Sequence, residues 1–283
     1  MKENALQIPP QFIDIGANLT NKRFAHDLNE VLDRAKAAGV QHIVLTGTSE
    51  HSSELAADLA ETNRSLLSCT AGVHPHDAKS WNESSGKHIR KLAEHAAVVA
   101  IGECGLDFNR DFSPRPQQEA CFESQLGLAA ELGKPVFLHE RDAHERFIDI
   151  LKAYRDDLKG AVVHCFTGNK KALFNYLDLD CHIGITGWVC DERRGIELRE
   201  LVKNIPASRL MIESDAPYLA PRDLRPKPKG GRNEPYCLKH IATVIAQLRG
   251  VSLNQFADDT YSTTSEFFSL PSRTGSCYIE ECE

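Results

Sequence analysis

The strongest constraint on this chain is an alternation of short apolar runs with segments of helical period. The runs are "FIDIGANLT" from Phe12, "HIVLTGT" from His42, "LLSCTAGVHP" from Leu66, "VVAIGECGLD" from Val98, "PVFLHER" from Pro135, "AVVHCFTG" from Ala161, "HIGITGWV" from His182 and "LMIESDAP" from Leu210. Between them lie "DLNEVLDRAKAAG" (27–39), "SSELAADLAETN" (52–63), "QQEACFESQLGLAAELG" (117–133) and "DAHERFIDILKAYRDDL" (142–158). Strands that alternate with crossover helices make a parallel sheet. Strands with almost no polar alternation are covered on both faces. Eight such units predict an α/β chain closed into a (β/α)8 TIM barrel rather than an open sheet. No G-x-G-x-x-G follows the first strand, which weighs against a doubly wound fold.

The 283 residues suit one barrel domain, since such barrels routinely use ~250 residues. No linker divides the chain, so residues 1–283 are read as a single domain. Its core runs from about 12 to 268, and an irregular tail covers 271–283. The net charge of −7 argues against a generally basic nucleic-acid binder, so any such contact needs a local patch. The nine cysteines are odd in number and include no C-x-x-C pair, the pattern of free thiols in a reducing compartment. The opening "MKENALQIPPQF" lacks the apolar core of a secretory signal, and no run has the ~18 apolar residues of a membrane span. A cytoplasmic monomer without membrane association is expected.

In a barrel the chemistry gathers at the C-terminal ends of the strands. There the strand expected within the third run ends in His74, that of the fourth in Glu103, of the fifth in His139, of the sixth in His164 and of the eighth in Asp215. Any one of them alone reads as a satisfied polar residue or a cap. Five converging on one mouth read as a divalent-metal site. The remaining histidines fall mostly in helices and loops and are expected to be solvated. Strand alternation turns Cys104 and Cys165 away from the mouth, into the helix layer.

These stretches, with "GRNEP" (231–235), resemble the TatD family of metal-dependent deoxyribonucleases over about Phe12 to Phe268. The resemblance implies an amidohydrolase-type barrel and a 3′-to-5′ exonuclease that hydrolyses single-stranded DNA and RNA, in DNA repair or degradation. Position by position it implies metal ligands at Glu103, His139 and His164. Asp215 matches the strand-eight aspartate, a further ligand that orients or deprotonates the attacking water. His74 matches a histidine of the mouth and, if protonated, would steady a phosphate oxygen. Many members carry His-x-His at the end of strand one; here Gly16 and Asn18 stand in those places. Glu103, His139 and His164 are then expected to hold one metal, and a second to bind only weakly, through Glu103, Asp215 and Asn18. Histidines restored at both positions are expected to complete the second site.

Two imidazoles and a carboxylate suit Zn²⁺, Mn²⁺ or Ni²⁺ by softness. The family leans to Mg²⁺, the expected activating ion, with Mn²⁺ as a substitute. Two other readings compete. One is a metal-dependent amidohydrolase or esterase acting on a small molecule, against which no strand-end lysine is available to bridge metals. The other is an idle binding protein on the same scaffold, against which all five strand-end residues are intact. Finally, "PRDLRPKPKGGRNEP" (221–235) carries Arg222, Arg225, Lys227, Lys229 and Arg232 against Asp223 in its basic stretch. It directly follows the Asp215 strand end and is expected to bind the phosphate backbone through Arg222, Arg225, Lys227 and Lys229.

Overall fold

A computed structural model describes residues 9–271. Among these, eight parallel strands follow one another round the sheet in chain order. They are β1 (Phe12–Ala17), β2 (Val40–Leu45), β3 (Leu67–Ala71), β4 (Val98–Asp107), β5 (Val136–Arg141), β6 (Ala161–Val163), β7 (His182–Ile185) and β8 (Leu210–Ile212). The helices α1 (Leu28–Ala37), α2 (Glu50–Thr62), α3 (Glu83–Ala93), α4 (Arg115–Leu132), α5 (His144–Tyr154), α6 (Lys170–Asp178), α7 (Ile196–Leu201) and α8 (Leu238–Arg249) intervene, and α9 (Leu253–Phe268) completes the described fold. All eight apolar runs became strands. The tail expected over 271–283 lies, beyond Pro271, outside the described residues.

The helix boundaries have local causes. Ser49 and Ser52 form a reciprocal capping box at the start of α2, and Asn82 with Ser85 does the same for α3. No helix of the described residues is long and apolar enough to cross a membrane.

Two apolar layers hold the barrel. The larger lies between strands and helices and includes Phe12, Leu67, Cys104, Phe147 and Tyr176. The smaller fills the lumen with Ile15, Val44, Ala100, Phe137, Val162 and Met211. Phe267 and Phe268 of α9 join this second layer. Phe267 packs on His182, which opens β7, so α9 plugs the N-terminal end. The β1–β8 seam closes at the opposite end, where Asp215 donates its N–H to Gly16 O at 2.8 Å and Asn18 donates to Ala216 O at 2.6 Å. The fully buried Asp14 staples that seam, its Oδ1 accepting the N–H groups of Ser214 (2.8 Å) and Gly16 (3.3 Å). Burial pushes the Asp14 carboxyl up to about 7.

Candidate metal centre

The open end holds a cavity of about 530 Å³. His74, Glu103, His139, His164 and Asp215, read from the sequence as one cluster, all line it. The strands do not stop where the polar residues begin, however. β3 ends before His74 and β8 before Asp215, while β5 passes His139 and runs to Arg141.

β4 differs most: it continues beyond Glu103 to Asp107. Its register with β5 shifts between Ile101 and Cys104, then resumes with Gly105 opposite His139 and Asp107 opposite Arg141. Gly102 and Gly105 sit at φ +138° and +145°, and a Cβ on either would collide with the carbonyl oxygens of Phe137 and His139. The glycines on both sides of Glu103 thus let β4 bulge against β5 and deliver a carboxylate to the mouth without ending the strand.

Three imidazole nitrogens converge on one oxygen, Glu103 Oε1: His164 Nε2 at 2.7 Å, His139 Nδ1 at 2.9 Å and His74 Nε2 at 3.2 Å. One carboxylate oxygen has only two lone pairs, so three full hydrogen bonds are more than it can accept. The partners on the far side of each ring sort the three. His74 Nδ1 accepts the backbone N–H of His76 at 3.1 Å. That nitrogen therefore holds a lone pair, and the neutral ring keeps its proton on Nε2, directed at Glu103. Burial pushes His74 down to about 4, which favours this neutral form, so the condition on which the sequence-based expectation rested its phosphate contact, a protonated ring, is not met.

His164 and His139 are held the other way round. His164 Nδ1 faces Glu213 Oε2 at 3.2 Å, and His139 Nε2 faces Asp107 Oδ2 at 3.5 Å. Glu213 accepts the outer ring proton of His164, and Asp107 faces that of His139 at ion-pair distance without a hydrogen bond. With a cation in place of the inner proton, the inner nitrogen would be free to ligate, the arrangement of a metal-ligating histidine. The His139 Nε2 atom is buried and has no closer partner. Ligands ~2.1 Å from one ion, at right angles, lie ~3 Å apart, close to the spacings found here. His74, Glu103 and His139 also form a compact group whose ligand atoms lie within 4.8 Å of one another. The donor set fits a divalent cation.

The electrostatics agree. Burial opposes charge on His164, yet Glu103 and Glu213 hold it well above the usual imidazole range. Burial likewise opposes ionisation of Glu103, yet His164 and His74 hold it well below the usual carboxylate range. Positive charge among these acids is strongly favoured. Asp215 contrasts with Glu103: burial, reinforced by Glu213 and Glu103, raises it to about 8 despite His164.

Several residues of the site were missed in the sequence. His76, expected to be solvated, meets Asp107 Oδ2 at 2.8 Å. Asp107 Oδ1 accepts the N–H groups of Asn109 and Arg110, which leaves Oδ2 for the two histidines. Glu213 is fully buried, two residues before Asp215. Cys104 is core, as expected, whereas Cys165 lines the cavity. Its φ of +47° takes it out of the extended pleat, so strand alternation does not set its direction. Asn18 lines the cavity, but Gly16 packs against Glu213: a Cβ at Gly16 would lie 2.5 Å from Glu213 Oε2 and 3.2 Å from Phe137 Cζ. Glu213 fills the space a histidine at 16 would need, so restoring both histidines does not complete a second site in this packing.

The cavity's cations are Arg110 and Arg141, and Trp188 and Tyr218 stand at its edge; no lysine lines it among the described residues. None of Arg222, Arg225, Lys227 and Lys229 lines it either. Arg222 approaches Asp191 at 3.7 Å, Arg225 donates to the carbonyls of Arg222 and Leu224, and Lys229 lines a separate cleft with Arg232. Arg232 is tied to Asp27 and Glu234.

Comparison with known proteins matches this architecture. Residues 13–269 match the family described as TatD related DNase. A relative from Edwardsiella piscicida, named 3′-5′ ssDNA/RNA exonuclease TatD, is 52% identical over 258 residues, covering 91% of this chain and 99% of its own. Among solved structures, a TatD family hydrolase from Entamoeba histolytica superposes with a TM-score of 0.83 at 29% identity, covering 91% of this chain and 98% of its own. A TatD homologue from Escherichia coli K12, YJJV, gives 0.83 at 28% identity, covering 92% and 98%. With the match spanning nearly all of the barrel, and a relative this similar over nearly its full length, the chain belongs to the TatD family of DNases.

Proposed function

We propose that this chain is a divalent-metal-dependent exonuclease that removes nucleotides from the 3′ end of single-stranded DNA and RNA. The observation that carries this reading is the convergence of His139, His164 and His74 on one oxygen of Glu103 inside an open cavity. The substrate class rests on the name carried by relatives about half identical to this chain.

Glu103, His139 and His164 hold the cation, with Asp215 beside them. Bound there, a divalent ion offsets the charge that builds on the phosphoryl oxygens and lowers the pKa of water. Mg²⁺ is the proposed activating ion and Mn²⁺ its substitute. Glu213 fixes the outer proton of His164 and Asp107 faces the outer nitrogen of His139, so the inner nitrogens are directed at the cation. With a cation at Glu103, Asp215 is favoured in its ionised form against the burial that raises it, and the carboxylate then orients the attacking water and takes its proton. His74, neutral and carrying its proton on Nε2, donates to Glu103 or to a phosphate oxygen. Arg110 and Arg141 attract the backbone, and Trp188 and Tyr218 offer faces for bases to stack on. Arg222, Arg225, Lys227 and Lys229 receive the strand further out.

The test is digestion of end-labelled single strands blocked at either end, with Mg²⁺ or with chelator. Cleavage should need the metal and should stop on 3′-blocked strands while continuing on 5′-blocked ones. Equal digestion of both, or digestion in chelator, overturns the reading.

A further inference from the structure

A second cluster of metal-type side chains lies outside the mouth. Cys190 ends the 3-10 turn Gly187–Cys190 that follows β7, Asp223 lies in the loop between β8 and α8, and His240 lies in the first turn of α8. Their ligand atoms all fall within 4.8 Å of one another. Three separate segments contribute one donor each, so the cluster is a product of the fold and not of local sequence. His240 Nε2 and Asp223 Oδ1 are 2.7 Å apart, and the Cys190 thiol faces the same carboxylate. Cys190 is fully buried, while the Asp223 and His240 side chains are about one-quarter exposed, at 23% and 28%. An open cleft lined by Leu224, Cys237 and His240 gives an ion a way in.

We propose that Cys190, Asp223 and His240 form a Zn²⁺ site, distinct from the catalytic mouth, that clips the basic loop 221–235 to the barrel. One sulfur, one imidazole and one carboxylate are the donors Zn²⁺ takes, whereas Mg²⁺ prefers an all-oxygen shell with several waters. Small side-chain rotations bring the three donors to the roughly 3.5 Å ligand spacing of a tetrahedral ion, with water in the fourth position. Binding replaces the thiol proton, which passes to solvent. The clip acts at Asp223, next to Arg222 and two residues before Arg225. It fixes the stretch of loop whose cations are proposed to receive the strand.

Co²⁺ is the probe, because a cobalt–thiolate bond gives a charge-transfer absorption that oxygen and nitrogen ligands do not. Metal-free full-length protein titrated with Co²⁺ should develop this band. The band should vanish in Cys190→Ser and in Asp223→Ala and persist in Glu103→Ala. Asp223 is a partly exposed loop residue, so its variant keeps the test valid should Cys190→Ser fold poorly. Absence of the band in the parent overturns the proposal, as does a parent-like band in Asp223→Ala. Loss in Glu103→Ala would assign the thiolate to Cys165 at the mouth and overturn it equally.

Discussion

At the N-terminal end of the barrel, Phe267 and Phe268 pack edge to face with ring centroids 4.7 Å apart, and Phe267 sits 4.7 Å from His182. At the C-terminal end, Glu103, Asp107 and Glu213 are buried beside His74 and His164. The first arrangement removes apolar surface from water and stabilises the fold. The second takes charges out of water, which costs free energy unless each finds a partner. Here each acid meets at least one imidazole, and the centre still favours added positive charge. One end supplies stability and the other retains a costly arrangement for its chemistry, so activity and stability should separate by mutation.

The largest effect is expected at the mouth. Glu103→Ala, and separately His139→Ala or His164→Ala, should lower kcat by about a thousandfold or more, since metal-type stabilisation is worth several kcal/mol. Circular dichroism should show the fold intact; parent-like turnover in two of the three would break the assignment. Phe267→Ala should do the reverse, costing about 3 kcal/mol of stability through the cavity it leaves. Its Tm should fall while kcat per folded molecule stays at the parent value. An unchanged Tm would remove α9 from the account of stability.

Glu213→Gln keeps the shape but weakens the acceptor for the outer proton of His164. A loss of about 10- to 100-fold in metal affinity or activity is expected, read by metal titration alongside kinetics. Parent values would make Glu213 a packing residue only. The smallest effect belongs to the basic loop. Neutralising Arg225, Lys227 and Lys229 together should raise KM and leave kcat unchanged. It should also flatten the log–log salt dependence of single-strand binding by up to roughly two units, at ~0.7 per phosphate contact. If affinity and slope both match the parent, the strand enters past Arg110 and Arg141 instead.

Much of the barrel was legible because its strands are covered on both faces and so read as unbroken apolar runs. The five mouth residues were legible because a polar side chain at the end of such a run is conspicuous. Asp107 closes the fourth run, but its place in the mouth was hidden, since only the backbone at Gly102 and Gly105 shows that β4 continues past Glu103. Glu213 was hidden because its partners, His164 and the space beside Gly16, are remote in sequence. The direction of Cys165 was misread because alternation presumes an extended residue, which its positive φ denies. His74 showed its place but not its protonation, which depends on the His76 amide folding back on Nδ1.

The central claim is that a divalent cation lies between the inner nitrogens of His139 and His164 and the Glu103 carboxylate. Mn²⁺ titration of metal-free protein, followed by the loss of its free-ion paramagnetic resonance signal, tests this directly. The account predicts saturable binding in the parent that is lost in Glu103→Ala and in His164→Ala. Binding of Mn²⁺ to Glu103→Ala with the parent affinity would contradict it.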